Sequence, residues 1–412
     1  MLGEMPGGHM IKQVLRQLFA GLRGAPFAVH YWDGEIASYG AQGKSAFVLN
    51  FTRPPPARLE DPVVYLGECY MDGVLEIEGS WDALLGTMVA SENTLFRRGA
   101  TRALGWIGER LQARRERQQN NVRRHYDLGN DFYRLWLDES WTYSCAYFRH
   151  PDDTLEQAQR NKIALSLDKL AIRPGMRVLD IGCGWGGMAL AAAQRGARVL
   201  GITLSAEQHE GARERIARAG LSDRVEIRLM DYLDLDGRRE QFDRIVSVGM
   251  FEHVGQGHHD DFFARTSSML QGGGLMLLHT ITGPESRETN PWIEKYIFPG
   301  GHIPAPETLV AALPAHSFKL VHMESLRLHY ARTLQCWLAR YQAVCSEVVS
   351  MFDERFARMW TMYLRGSSAA FRGGDLDIHQ MLVSKGNNNT LPRDWGYLYN
   401  SAAPLCWGED GD

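Results

Sequence analysis

The chain has 412 residues, of which 44% are hydrophobic and 23% charged, and its formal net charge at pH 7 is −4. These values are ordinary for a soluble globular protein of two or three domains. No apolar run reaches about 18 residues and no charged-then-apolar leader is present, so we expect neither a membrane-spanning helix nor a secreted protein. The six cysteines show no metal-ligand spacing, which favours a reduced, cytoplasmic protein without a metal site.

Residues 1–96 are predicted to form a small α+β domain. Met1–His9 is expected to be unstructured, and Gly-Gly-His-Met within the first ten residues resembles a cloning remnant before a native Met10. An amphipathic helix is predicted over Ile11–Leu22, and Ser80 is the expected N-cap of a second helix. Short strands are predicted between these helices, over 27–32, 46–51 and 74–78. This domain contains no nucleophile constellation of its own.

Residues 97–124 form a basic linker that contains nine arginines and only two acidic residues. Its charge of +7 leaves −11 on the rest of the chain. Such a segment, predicted to be helical from about Ala103, would suit anionic phospholipid headgroups or serve as a solvated helix between domains. Nucleic acid is a poorer partner for it, because no nucleic-acid-binding motif accompanies the charge.

From His125 to the end of the chain, predicted strands and helices alternate, which is typical of a parallel, doubly wound α/β sheet. The predicted helices cover 155–170, 188–194, 205–219 and 259–270. The predicted strands cover 177–181, 198–203, 225–229, 242–248 and 274–281, with closing strands over 316–323 and 378–384. A helical insertion over about 333–371 repeats apolar residues every three or four positions, as expected of either a core helix or a lid over an apolar cavity.

The glycine loop after the first of these strands is the sharpest motif in the chain. It reads Asp180-Ile-Gly-Cys-Gly-Trp-Gly-Gly, with the glycines at Gly182, Gly184, Gly186 and Gly187. Glycines there let the backbone turn and approach a ligand closely. The spacing differs from both the Walker A and the dinucleotide fingerprints. It resembles the first motif of class I methyltransferases that use S-adenosylmethionine (SAM).

A SAM site at this loop needs partners for ribose and adenine. No carboxylate ends the second strand, where methyltransferases usually bind the ribose, so Thr203 and Gln208 are the polar groups in reach. Asp231 is a candidate acceptor for the adenine amine, or simply a turn-forming acid. Tyr232 would supply an aromatic face for the adenine ring.

A second polar group is expected at the same edge of the sheet. Glu252 and His253 follow the fourth strand, and His279 ends the fifth. Open α/β sheets bind ligands at the carboxyl ends of their strands. A carboxylate and an imidazole at neighbouring strand tips would hold an anion or a proton carrier between them, although each alone would also suit a buried polar group.

Several segments together resemble the cyclopropane-fatty-acyl-phospholipid synthases and the related mycolic acid cyclopropane synthases. They are Tyr143-Ser-Cys-Ala-Tyr, the glycine loop, Val246-Ser-Val-Gly-Met-Phe-Glu-His-Val-Gly, Leu278-His-Thr-Ile and Lys295-Tyr-Ile-Phe-Pro-Gly. The N-terminal domain resembles the lipid-handling domain of the long phospholipid enzymes, notably at Gly67-Glu-Cys-Tyr-Met-Asp-Gly. The resemblance implies a class I SAM-methyltransferase fold with a helical lid and a catalytic domain over 125–412.

The resemblance also implies a mechanism. A cis double bond in a phospholipid acyl chain attacks the SAM methyl group, a carbocation forms, and bound bicarbonate removes a proton so that the ring closes. The implied bicarbonate ligands, and catalytic residues, are Cys145, Glu252, His279, the backbone at Ile281, and Tyr330. Tyr143 and Ser144 match a further contact with SAM. The family also implies association with the inner membrane surface and a homodimer.

Some alternatives stay open from the sequence. A related C-methyltransferase would leave a methyl or methylene branch instead of a ring, and a catalytically inactive lipid-binding protein would retain the fold alone. The aromatic residues Tyr147, Phe148 and Phe298 are candidates for the walls that face the carbocation, and each equally suits ordinary core packing. Arg365–Phe371 lacks the cysteine that some family members carry there, so we assign that segment no catalytic role.

Overall fold

The computed structural model describes residues 6–57, 61–91, 128–392 and 394–399. The basic linker over 97–124, with its predicted helix, lies outside these residues. Of the described helices, none is both long enough and apolar enough to cross a bilayer.

The N-terminal unit is a four-stranded mixed sheet with helices packed on it. Its elements in chain order are α1 (Pro6–Ala20), β1 (Phe27–His30), β2 (Ile36–Tyr39), β3 (Phe47–Phe51), α2 (Pro62–Met71), β4 (Leu75–Gly79) and α3 (Trp81–Ser91). The strand order is β2-β1-β3-β4, with β1 and β3 parallel. The α+β character is as predicted, but helix α1 begins at Pro6, so the expectation of an unstructured Met1–His9 is wrong for residues 6–9.

Helix α2 was not predicted from the sequence. Asp61 caps it by accepting the backbone N–H groups of Val63 and Val64, and Pro62 occupies the first turn, where its missing N–H costs nothing. Residues 64, 65 and 67–71 are all buried, so the segment lacks the polar face that makes a helix recognisable from its period.

The second unit is built on a seven-stranded mixed sheet. Its strands are β5 (Arg177–Ile181), β6 (Arg198–Thr203), β7 (Val225–Leu229), β8 (Phe242–Val248), β9 (Leu270–Thr282), β12 (Phe318–Ser325) and β13 (Asp377–Lys385), and a separate short hairpin pairs β10 (Arg287–Glu288) with β11 (His302–Ile303). The order is β12-β13-β9-β8-β5-β6-β7. Strands β5 to β9 are parallel as predicted, whereas β12 and β13 run antiparallel at one edge.

Helices cover both faces of this sheet. They are α4 (Asn130–Trp136), α5 (Leu155–Lys169), α6 (Gly187–Gln194), α7 (Ala206–Arg218), α8 (His259–Met269), α9 (Pro291–Tyr296), α10 (Pro306–Ala312), α11 (Arg327–Ala343), α12 (Cys345–Met351) and α13 (Glu354–Arg372). The predicted single insertion over 333–371 is three helices, α11 to α13, and begins six residues earlier. Their buried aromatic residues form one cluster with α4 around Trp136, Trp337 and Trp360.

The N-terminal unit docks on the second unit through α2. The Glu68 carboxylate, 6% exposed, accepts hydrogen bonds from the Lys295 ammonium at 2.5 Å and from the Tyr296 hydroxyl. Arg358 of α13 donates to the Tyr70 carbonyl at 2.6 Å and pairs with Glu76 at 2.9 Å. The contact is therefore a packed surface with charge pairs in which Glu68 is buried and Lys295 and Glu76 remain partly exposed.

Gly67 lies at the tightest point of this contact. A Cβ added there would come within 2.4 Å of Trp292 Cδ1 and 2.6 Å of its Nε1. We predict that Gly67→Ala destabilises the protein by about 1–3 kcal/mol through overpacking against a buried indole. Gly86 is the matched control, because it also lies within a helix but a Cβ there would meet nothing within 4 Å.

Gly86→Ala should leave the free energy of unfolding unchanged or raise it by up to about 1 kcal/mol, because alanine favours the helix more than glycine does. Its thermal midpoint should therefore equal or exceed that of the wild type. Thermal unfolding of both variants beside the wild type measures the difference. Equal midpoints for the two variants would show that Gly67 is not packed against Trp292 in solution.

Candidate functional site

The glycine loop after β5 is held in a left-handed conformation that side chains rarely adopt. The φ angles of Gly182, Gly184 and Gly186 are +78°, +54° and +79°. A Cβ at Gly182 would come within 2.8 Å of the Met250 Cβ, so the neighbouring strand tip also requires glycine at that position. The loop therefore presents bare backbone towards the carboxyl edge of the sheet.

One cavity lies on this loop, and we call it the glycine-loop cavity. Its lining includes most residues predicted to bind SAM: Tyr143, Ser144, Asp180, Gly182, Gly184, Thr203, Gln208, Asp231 and Tyr232. Gly186 is not on this wall. Its Cα faces helix α7, where an added Cβ would lie 3.2 Å from the Ala212 Cβ, so this glycine shapes the turn and the helix packing.

Further polar groups that line the glycine-loop cavity are positioned by local structure. The Thr203 hydroxyl lies 2.7 Å from the Gln208 Oε1, and Ser205 caps helix α7 between them. The Asp231 carboxylate accepts the Leu233 N–H at 3.0 Å. Asp231 thus forms a turn and lines the cavity at the same time, so the two alternatives read from the sequence are not exclusive.

Lys162 was not recognised from the sequence, although it lines the same cavity. Its side chain comes from helix α5, is 2% exposed, and donates to the Ser144 Oγ at 2.9 Å. Burial lowers the pKa of Lys162 to about 8. The sequence pattern of helix α5 does not predict this role, because a lysine in a helix is usually exposed to solvent.

Asp180 complements this buried cation. It is 2% exposed, and among the described residues its Oδ2 has no hydrogen-bond partner. Burial raises the pKa of Asp180 to about 7, and the charge of Lys162 opposes part of that shift. A buried ammonium and a buried carboxylate with unused capacity are suited to the two ends of a zwitterionic ligand.

A second cavity adjoins the first, and we call it the aromatic cavity. Tyr143, Ser144, Gly249 and His253 line both cavities, so the two share a wall. The remaining lining includes all the residues predicted to bind an anion: Cys145, Glu252, His279, Ile281 and Tyr330. The structure therefore brings the two predicted groups of residues to one place at the carboxyl edge of the sheet.

The polar end of the aromatic cavity has unused hydrogen-bonding capacity. The Glu252 Oε1 accepts the Ile281 N–H at 2.7 Å, whereas Glu252 Oε2 and His279 Nε2 are buried without a partner among the described residues. Burial raises the pKa of Glu252 and lowers that of His279 well below its usual range. Such orphaned groups are costly unless a ligand or water satisfies them.

Cys145 and His253 are neutral at this site. Burial raises the pKa of the Cys145 thiol, which lies 3.2 Å from the Ala146 carbonyl, and it lowers the pKa of His253 to about 4. A neutral thiol is a weak nucleophile, so the geometry gives Cys145 a role as a wall and weak donor.

Of the three aromatic residues proposed as cavity walls, only Phe298 lines the aromatic cavity. Phe298 lines the cavity, together with Tyr363 and Phe371. Tyr147 and Phe148 instead stack on the His329 ring, with centroid distances of 4.4 Å and 6.4 Å. The Tyr363 hydroxyl lies 2.9 Å from that of Tyr143, which links helix α13 to the wall shared by the two cavities.

Two family models match the chain. The model described as mycolic acid cyclopropane synthetase matches residues 113–381, and one described as a domain of unknown function matches residues 12–100. A probable fatty acid methyltransferase of Pseudomonas putida is 35% identical over 369 residues, which are 87% of this chain and 92% of that protein. A cyclopropane-fatty-acyl-phospholipid synthase of Escherichia coli is 38% identical over 364 residues, 84% and 92% of the two chains.

The chain is also similar to solved structures of cyclopropane synthases. A cyclopropane synthase from Mycobacterium tuberculosis aligns with a TM-score of 0.61 and 39% identity, covering 65% of this chain and 98% of that one. A mycolic acid cyclopropane synthase complexed with S-adenosylhomocysteine (SAH) and CTAB also aligns with a TM-score of 0.61, at 37% identity and the same coverage.

The burial of Lys162 leads to a stability prediction. Burying the charged Lys162 ammonium destabilises the folded protein by about 3 kcal/mol, which is the free energy that corresponds to lowering its pKa from 10.5 to about 8. Lys162→Met should therefore raise the thermal midpoint. Between about pH 8 and 10.5 the unfolded wild type binds more protons than the folded one, so wild-type stability rises with pH over this range.

The stability gained by Lys162→Met over the wild type should be largest below about pH 8 and should shrink as the pH is raised from about 8 to 10.5. Thermal unfolding of both proteins from pH 7 to 10 measures this. A variant that is less stable than the wild type at pH 7 would contradict the prediction. Lys385→Met is a poor comparison because its ammonium donates to two carbonyls, whereas exposed Lys44→Met is a suitable control.

Proposed function

Because the chain belongs to the mycolic acid cyclopropane synthetase family, we propose that it builds a cyclopropane ring across the cis double bond of unsaturated phospholipid acyl chains. It is a SAM-dependent methyltransferase of the class I fold, with an additional N-terminal unit. The observation that carries the proposal is the pair of adjoining cavities. One has the glycine loop for a methyl donor, and the other has aromatic walls with a polar end.

The glycine-loop cavity fits SAM. When bound, SAM supplies an electrophilic methyl group. The backbone of Gly182 and Gly184 leaves room for it, and we assign Asp180 to its ammonium and Lys162, with Ser144, to its carboxylate. Thr203, Gln208, Asp231 and Tyr232 remain the proposed contacts for the ribose and adenine. The wall shared by the cavities directs the reacting end towards the acyl chain.

The aromatic cavity suits an alkene that becomes a cation. Attack of the double bond on the methyl group leaves positive charge on the acyl chain. The rings of Phe298 and Tyr363 face this space, and their π systems attract cations. His253, His279 and Cys145 are held neutral by burial, so none of them opposes the positive charge.

The polar end of the aromatic cavity fits bicarbonate. When bound, bicarbonate supplies a base for the proton of the transferred methyl group. The orphaned Glu252 Oε2 and His279 Nε2, with Cys145, Tyr330 and the backbone at Ile281, are the groups that would hold it. A small anion there satisfies polar atoms that otherwise remain buried without partners among the described residues.

The phospholipid substrate and attachment to a membrane surface are part of the same proposal. They are supported by the name of the Escherichia coli relative, which this chain matches over both of its units. The alternative is a C-methyltransferase that makes methyl- or methylene-branched chains. It is favoured by the name of the Pseudomonas putida relative.

Proton NMR of fatty esters decides between these two products. Lipid is extracted from a host that expresses the wild type, Glu252→Gln or Glu307→Gln, the last being an exposed and matched control. We expect upfield cyclopropane ring protons with the wild type and the control. We expect a loss of about 100-fold or more in ring formation with Glu252→Gln, because the variant loses a group that would hold the base and general acid–base catalysis contributes about this much.

Added mass without ring protons in wild-type lipid would replace the proposal with the branching reaction. If Glu252→Gln formed the ring at the wild-type rate, Glu252 would not be one of the residues that hold the base. No change in the lipid would contradict both products.

Asp180 gives a separate prediction for cofactor binding. Its pKa is raised to about 7, and an ammonium ligand pairs only with the ionised form. SAH affinity should therefore fall about tenfold per unit as the pH drops below 7. It should also decline above about pH 8, as Lys162 loses its charge. Calorimetric titration with SAH from pH 5.5 to 9 measures the profile.

Asp180→Asn should bind SAH more weakly and lose the decline on the acid side. Asp223→Asn, whose side chain is 75% exposed, should keep the wild-type profile. An acid limb that persists in Asp180→Asn would show that another group binds the ammonium.

A further inference from the structure

A chain of hydrogen-bonded side chains leads from His279 to residues that do not line the aromatic cavity. His279 of β9 and Gln380 of β13 are direct cross-strand partners, and both are 0% exposed. The Gln380 Nε2 lies 3.1 Å from the His279 Nδ1. Lys169, also 0% exposed, donates its ammonium to the Gln380 Oε1 at 2.7 Å.

The ammonium of Lys169 settles which way the Gln380 amide points. An ammonium has only donors, so the amide atom beside it must be the oxygen. A flipped amide would place an NH₂ group against the ammonium at 2.7 Å, donor against donor. The amide nitrogen therefore faces His279.

Ser166 accounts for the second amide proton. Its hydroxyl donates to the Lys162 carbonyl at 2.8 Å, which leaves its oxygen free to accept from the Gln380 Nε2 at 3.3 Å. Both amide protons of Gln380 then have acceptors, one on Ser166 and one on His279. This orientation of the amide is thus consistent with its contacts to Lys169, Ser166 and His279.

Glu324 holds Lys169 in place. Its Oε2 lies 2.5 Å from the Lys169 ammonium and accepts the Tyr399 hydroxyl at 3.1 Å near the surface. The chain therefore runs from a partly exposed carboxylate through a buried ammonium and a buried amide to the imidazole. Each member determines the donor or acceptor role of the next.

We propose that Lys169 and Gln380 are positioning residues that fix His279 as the neutral tautomer protonated at Nε2, with that N–H donated into the aromatic cavity. Because Gln380 donates to Nδ1, that nitrogen must carry the lone pair, and the proton lies on Nε2. Nε2 has no partner among the described residues, and His279 lines the cavity. A ligand bound to this N–H must accept a hydrogen bond, as the oxygen of an oxyanion does.

The consequence for the reaction rests on the proposed function. An N–H at Nε2 binds the oxygen of bicarbonate and cannot itself take the proton from the acyl chain. The opposite tautomer would present a lone pair to the anion and repel it. The chain of side chains that leads from His279 therefore selects for an anionic ligand in the cavity.

NMR of the wild-type chain tests the tautomer directly. The full protein is labelled with ¹⁵N-histidine, and the His279 signals are identified by their loss in His279→Gln. We expect a pyrrole-type Nε2 and a pyridine-type Nδ1 at pH 7.5. A pyrrole-type Nδ1 with a pyridine-type Nε2 overturns the proposal, whatever the activity of the enzyme.

Gln380→Met tests the functional consequence, because it keeps the length of the side chain and removes the donor. We expect the bicarbonate concentration for half-maximal ring formation to rise at least tenfold, with the rate at saturating bicarbonate changed much less. Lys169→Met should act in the same direction, since the amide is then free to flip. Gln271→Met, exposed on the same strand as His279, should match the wild type.

A merely structural role would lower the thermal midpoint and the maximal rate while leaving half-saturation unchanged, and that result overturns the proposal. If wild-type activity does not depend on bicarbonate, the proposed function loses its base, while the NMR result still decides the tautomer. The two failures are therefore distinguishable.

Discussion

The burial of polar groups with unused hydrogen-bonding capacity at the carboxyl edge of β5, β8 and β9 is the constraint on which the site depends. Asp180 Oδ2, Glu252 Oε2 and His279 Nε2 all lie there without partners among the described residues. Natural folds rarely tolerate such groups in the absence of a ligand or water. Because they occur around two adjoining cavities, their cost in folding stability is localised at those cavities.

Much of this arrangement was predictable, because the geometry of a parallel sheet is simple. The glycine loop and Glu252 each follow a recognisable buried strand, His279 lies near the end of another, and the carboxyl ends of parallel strands meet at one edge. Lys162 and Gln380 were not predictable in this way. Lys162 reaches the site from a helix, and Gln380 comes from an antiparallel strand that pairs with β9 across about 100 residues of sequence.

Aromatic residues show the same limit. A sequence gives the number of rings near a site but not the direction in which each side chain points. Tyr147 and Phe148 lie two and three residues after Cys145, yet they pack on His329. Tyr363, which repeats in the apolar pattern of a long helix like any core residue, instead lines the aromatic cavity and bonds to Tyr143. Helix α2 escaped recognition for a related reason, since both its faces are buried.

The contact between the two units bears directly on the aromatic cavity. Helix α9 lies between them: Trp292 packs on Gly67 and the Tyr296 hydroxyl donates to Glu68, whereas Ile293 lines the cavity. Phe298, two residues after this helix, is also on the cavity wall. A six-residue helix has little stability of its own. This wall of the aromatic cavity is therefore held in place by the N-terminal unit. That unit has a structural role at the site, although none of its described residues lines either cavity.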